Sequence, residues 1–98
     1  MKVTSSENIV TILACKRFDF TAHTTFRELY LVHQDPETQF VLDLANTEYM
    51  DSSALGMILL LRDHAKKLGG NVTLENPTVP IKNILNIAQF HKILTINE

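Results

Sequence analysis

Four short runs rich in β-branched and apolar residues, Ile9 to Ala14, Phe40 to Leu44, Asn71 to Glu75 and Ile93 to Ile96, are separated by longer stretches with helical periodicity. This alternation constrains the fold more than any other feature, because strands interleaved with helices pair in parallel through right-handed crossovers. Lys2-Val3-Thr4 reads as a shorter strand facing the first run across the polar turn Ser5 to Asn8, so the chain opens with an antiparallel hairpin. Thr21 is placed to cap a first helix to about Val32, in which Ala22, Phe26, Leu29 and Tyr30 recur near helical spacing. Phe40-Val41-Leu42-Asp43-Leu44 is almost continuously apolar, as expected of a central strand covered on both faces. Ser52 to Leu68 is the longest helix, closed by Gly69-Gly70 as a left-handed C-terminal cap. Pro80 opens a third helix to about Gln89, and Ile93 to Ile96 supplies the last strand. The expected order is β-β-α-β-α-β-α-β: an α/β domain with a mixed sheet of about five strands, an N-terminal hairpin followed by parallel strands, and about three helices covering at least one face.

At 98 residues the chain is expected to form one domain spanning residues 1–98. Hydrophobic residues make up 45% and charged ones 20%, which favours a packed core over disorder. Nine Lys and Arg against eleven Asp and Glu leave a net charge of −2, which argues against the broad positive field of a nucleic-acid or anionic-membrane binder. Cys15 is the sole cysteine, so neither an intramolecular disulfide nor a cysteine metal cluster is available. The first eight residues lack the apolar core of a signal peptide, and the longest nearly uncharged apolar run, Ala54 to Leu61, is far short of the roughly 20 residues of a membrane span. A cytoplasmic protein without membrane insertion is expected.

The segment with functional content is Tyr49-Met50-Asp51-Ser52-Ser53-Ala54-Leu55-Gly56. A chain leaving a buried strand enters a helix through three capping residues, Asp51, Ser52 and Ser53. The first turn of a helix carries unpaired N–H groups and the positive end of the dipole, so it favours an added phosphate. Capping alone also accounts for Asp and Ser there. Two features go beyond capping. Gly56 costs about 1 kcal/mol relative to Ala inside a helix, which suggests a close approach to the backbone one turn past the serines. At roughly 100° per residue, Ala54, Ile58, Leu61, Ala65 and Leu68 share one side while Gly56, Leu59, Leu60, Asp63 and Lys67 face the other. Leu59 and Leu60 then either pack on a neighbouring helix or form part of a partner-docking face with Gly56 and Asp63.

The whole order, with Asp-Ser-Ser-x-Leu-Gly opening a long helix that ends in Gly-Gly, resembles the STAS domain family and specifically its bacterial anti-sigma factor antagonists. The resemblance implies that Ser52, directly after Asp51, is the phosphoacceptor, with Asp51 and Ser53 as flanks. Arg17-Phe18-Asp19 resembles the family's segment before the first helix, and Asp19 matches its acidic residue near the switch. Ala54 stands where members commonly have Gly, Lys16 replaces a usual Gly, and the chain ends at Glu98 where many members continue into a helix, which implies a more open sheet surface. The implied mechanism is partner switching. The unphosphorylated form occupies an anti-sigma factor, often a GHKL-type serine kinase, and frees a sigma factor; phosphorylation at Ser52 releases the partner, and a PP2C-type phosphatase restores the active form. The alternative is a constitutive STAS subunit docking on a membrane transporter ATPase or another signalling protein.

Other chemistry is not encoded. His23, His33, His64 and His91 lie on different expected elements without metal-ligand spacing, which favours surface or cap roles. Asp19, Asp43 and Asp51 do not make a receiver-type acidic pocket in a chain this short, and Asp43 is expected to bond loop backbone. No Gly-x-Ser-x-Gly elbow or phosphate loop is present, so an enzyme is not expected and no cofactor is implied. Cys15 is expected to be a small buried apolar residue.

Overall fold

The computed structural model describes residues Met1 to Glu98. Strand β1 (Lys2–Ser6) turns at Glu7, whose φ of 55° lies in the left-handed region, and pairs antiparallel with β2 (Ile9–Leu13). The strands β4 (Gln39–Asp43), β6 (Val72–Glu75) and β7 (Thr95–Asn97) then add in parallel, giving the order β1-β2-β4-β6-β7. The crossovers are α1 (His23–Leu31), α2 (Ser52–Lys67) and α3 (Val79–Ile87). The expected mixed five-stranded sheet with three helices is what forms. No helix is long and apolar enough to cross a membrane.

Burial alternates along each parallel strand with period two. Val10, Ile12, Phe40, Leu42, Val72 and Leu74 are buried, while Thr11, Val41 and Thr73 between them are only half-buried. The central strand is therefore covered on one face, not on both as its apolar run suggested. Val41 carries the lesson: it extends the run in sequence but points away from the helices. On the covered face the rings of Phe18, Phe26, Tyr30, His64 and Phe40 follow one another with centroids 5.2, 5.5, 5.3 and 5.7 Å apart, edge-to-face or tilted. His64 is thus a packing residue and not a surface one. Its Nε2 donates to the carbonyl of His33 at 2.9 Å, tying α2 to the end of α1.

Three further boundaries differ from expectation. Thr21 does not cap the first helix: α1 starts after Ala22 with no side-chain cap, and it is the preceding 3-10 turn, Phe20–Ala22, that is capped, by Asp19 accepting the Thr21 N–H at 3.0 Å. The third helix ends at Ile87, because Gln89 adopts a left-handed backbone and Phe90–Lys92 form a separate 3-10 turn. Ile93 and Leu94 close that turn by donating to the Phe90 carbonyl, which shifts the last strand to Thr95–Asn97. The Gly-Gly cap holds as expected. Gly69 has φ +83° and donates to Lys66, and Gly70 donates to Ala65, the paired bonds of a Schellman motif.

Candidate functional site

Two two-residue strands, β3 (Arg17–Phe18) and β5 (Tyr49–Met50), pair in parallel beside the main sheet. Their register sets Arg17 opposite Tyr49 and Phe18 opposite Met50. Phe18 and Met50 point into the core, anchoring both strands. Each strand is followed at once by an aspartate in extended conformation that caps a helix, Asp19 for the 3-10 turn and Asp51 for α2. Two helix starts therefore open from the same end of one small ribbon. The loops beneath are fastened by Thr47, which is fully buried: its hydroxyl donates to the Cys15 carbonyl at 2.9 Å, and its own carbonyl accepts from the Thr78 hydroxyl at 2.9 Å. Cys15 is half-buried, with its thiol against the Arg17 carbonyl, so it is not the fully buried apolar residue that was expected. Asp43, at the end of β4, accepts from the Ala45 backbone at 2.9 Å and so bonds the loop backbone as expected.

Asp51 Oδ1 accepts the Ala54 N–H at 3.0 Å. Ser52 and Ser53, the first two helical residues, are exposed, and neither hydroxyl hydrogen-bonds within the chain. Their N–H groups are among the unpaired donors of the first turn. A group attached to the Ser52 oxygen would sit against those donors on the solvent side of the helix start, with the Asp51 carboxylate beside it. Asp19 is 7% exposed. Its carboxyl is held below the usual value, first by the Thr21 hydroxyl and then by the Thr21 N–H and by Arg17, against an opposing effect of burial. Arg17 Nε donates to Asp19 Oδ2 at 2.9 Å, and its guanidinium lies 4.1 Å from the centre of the Tyr49 ring. The nearest cation on this ribbon is thus engaged by a carboxylate and an aromatic face.

Along the outer side of α2, Ser53, Gly56, Leu60 and Asp63 follow at spacings of three, four and three and form one exposed stripe. Leu60 is 49% exposed. Leu59 is half-buried against the core, so much of its surface serves packing. A Cβ built on Gly56 meets nothing within 4 Å, so no part of this chain accounts for a glycine there. The stripe continues into a groove of about 270 Å³ between α1 and α2, where Leu60 and Asp63 meet His23, Arg27 and Lys67.

Phe20, 68% exposed beside the Asp19 cap, escaped the sequence reading; Tyr49, 42% exposed, and Arg17 lay in segments it singled out but were given no role of their own. Tyr49-Met50 carries an alternation signal, one large side chain out and its neighbour in, whereas Phe18 and Phe20 face opposite ways because the chain leaves β3 for the 3-10 turn at Asp19.

Comparison with known proteins places this geometry. The STAS domain family profile matches residues 1–98. A STAS-domain containing protein of Pseudomonas aeruginosa is 42% identical over 88 residues, 90% of this chain and 87% of that one. Among solved structures, a candidate anti-sigma factor antagonist from Thermotoga maritima superposes with a TM-score of 0.84 at 17% identity, covering 99% of this chain and 85% of that one. The anti-sigma factor antagonist SpoIIAA in its unphosphorylated form gives 0.71 at 14% identity, covering 99% and 86%.

Proposed function

This chain belongs to the STAS domain family, and on that premise we propose that it is a phosphorylation-controlled protein-binding switch whose control residue is Ser52. The carrying observation is the position of that hydroxyl: exposed, without a partner in its own chain, one residue past the Asp51 cap and next to Ser53, which heads the Gly56–Leu60–Asp63 stripe. The unphosphorylated protein docks this stripe, with Tyr49 and Phe20 at its head, on an anti-sigma factor or GHKL-type serine kinase, and so frees a sigma factor. Phosphorylation adds about −1.5 to −2 charges beside Asp51. The one cation on the ribbon, Arg17, is already committed to Asp19 and Tyr49. Burying the new dianion in an interface is then costly, and the partner is released. A PP2C-type phosphatase resets the switch.

The test is labelling and binding with the cognate kinase. One phosphate per chain is expected, with Ser52→Ala abolishing the label and keeping binding, and Ser52→Asp weakening binding. Leu60→Ser should weaken binding without loss of fold, since that side chain is half outside the core. Labelling that survives Ser52→Ala refutes the site. Binding indifferent to Ser52→Asp, together with co-purification with a transporter ATPase, would replace the switch with constitutive docking.

A further inference from the structure

At the opposite end of α2 from Ser52, fourteen residues and roughly 21 Å along the helix, a cleft of about 410 Å³ opens between the end of α2, the start of β6 and the turn before β7. Four of its lining residues are Arg62, Lys66, His91 and Lys92, and none is acidic. Three fixed positive charges and a titratable imidazole therefore meet in one depression of a chain whose net charge is −2. Lys66 alone is what the negative end of a helix attracts. Lys92 and His91 come from a separate element, and Arg62 from one turn further inside α2, so the dipole does not account for the group.

The cations are also unspent. Neither Lys66 nor Lys92 forms an ion pair, and Arg62 has only a loose contact, Nη1 to Asp63 Oδ1 at 3.9 Å. Arg62 Nε is shut off from solvent and has no acceptor in the chain. A desolvated guanidinium N–H without a partner is costly; it is the remaining exposed part of the Arg62 side chain, 26% of its surface, that can offer charge to an oxyanion in the cleft. The rest of the lining mixes polar Gln39, Asn71, Thr73 and Thr95 with apolar Val72, Ile93 and Leu94, of which Ile93 is partly exposed. The volume falls in the range of small-molecule sites. The positive charge is local and is not a broad field, which fits a compact anion and not a nucleic acid.

We propose that this cleft binds a small phosphate ester with a hydroxyl-bearing body, the phosphate held by Arg62, Lys66 and Lys92 and the body bordered by Asn71. The probe is ribose 5-phosphate, titrated into isotope-labelled protein at constant ionic strength and followed by amide chemical shifts, with ribose and sulfate as comparators. Saturable shifts confined to the cleft, absent with ribose and smaller with sulfate, are expected. The double variant Lys66→Gln/Lys92→Gln, both exposed positions whose fold the same spectrum verifies, should bind at least about tenfold more weakly, a loss of 1.4 kcal/mol or more. No saturation at millimolar probe, an equal response to sulfate, or unchanged affinity in the double variant would each overturn the site. Ser52→Asp should leave the affinity unchanged, so failure here and failure of the switch are separately visible.

Discussion

Replacing Gly56 with alanine should make the isolated protein more stable and its docking weaker. Gly56 lies in the interior of α2, is exposed, and offers open space to a Cβ. The change therefore introduces no clash and buries no new surface. What remains is the backbone term: glycine in a helix interior is about 0.8–1.0 kcal/mol less favourable than alanine, chiefly because it has more conformational freedom to lose on folding. For a domain of this size, 1 kcal/mol corresponds to about 4–8 °C in Tm. Thermal and urea unfolding followed by far-UV circular dichroism should show that rise with an unchanged urea slope. The same variant should bind the proposed kinase partner roughly tenfold or more weakly, since an added methyl in a close backbone contact costs about 1–3 kcal/mol. A stability that fails to rise would refute the open-space argument. A stability that rises while binding stays intact would refute the close approach, leaving the glycine unexplained by docking.

Two further substitutions test how the site is supported. Gly70→Ala should destabilise by about 1–3 kcal/mol or more, because its Cβ would lie 1.7 Å from the Thr38 carbonyl oxygen; an unchanged unfolding midpoint would show that the two segments separate easily. Asp19→Asn should lower stability at neutral pH, and the gap from wild type should close as pH falls. The Asp19 carboxyl ionises below its usual 3.8, so its contribution is complete above that value and is lost as pH drops through the lower native value. Urea midpoints at neutral pH and well below pH 3.8 read this directly, and a gap that widens in acid would refute the assignment.

The order of elements was legible because it rests on periodicity and end signals, both local. In α2 the inward positions Ala54, Ile58, Leu61 and Ala65 were read correctly, and only Met57 joins them unannounced. Asp51 and the two glycines mark its ends by chemistry that a sequence displays. What escaped notice was non-local. The pairing of β3 with β5 joins residues 32 apart through two positions each, too short for any pattern to emerge. Yet that pairing turns Asp19 from a residue somewhere before a helix into a cap opening from the same ribbon end as Asp51. Nor did the sequence reveal that Arg17 would be held between Asp19 and Tyr49, since a cation–π contact leaves no spacing signature.

The uncovered side of the sheet bears on why the proposed docking surface is α2. The registers place Thr4, Thr11, Val41, Thr73 and Thr95 in a single row across all five strands. β-Branched residues satisfy the strand backbone, and threonine does so while leaving a hydroxyl for water, so this face keeps β propensity without demanding a second helical layer. Its flanking rows include Lys2, Asp43, Glu75 and Asn97 and present charge beside Leu13. A partner gains little by desolvating such a surface. The α2 side differs: Leu60, Tyr49 and Phe20 are apolar or aromatic and exposed, and the glycine admits a close backbone approach. Under the proposed switch, a hydroxyl beside that stripe controls a face where apolar burial rewards association, so a single phosphate there has leverage that the same group on the sheet face would lack.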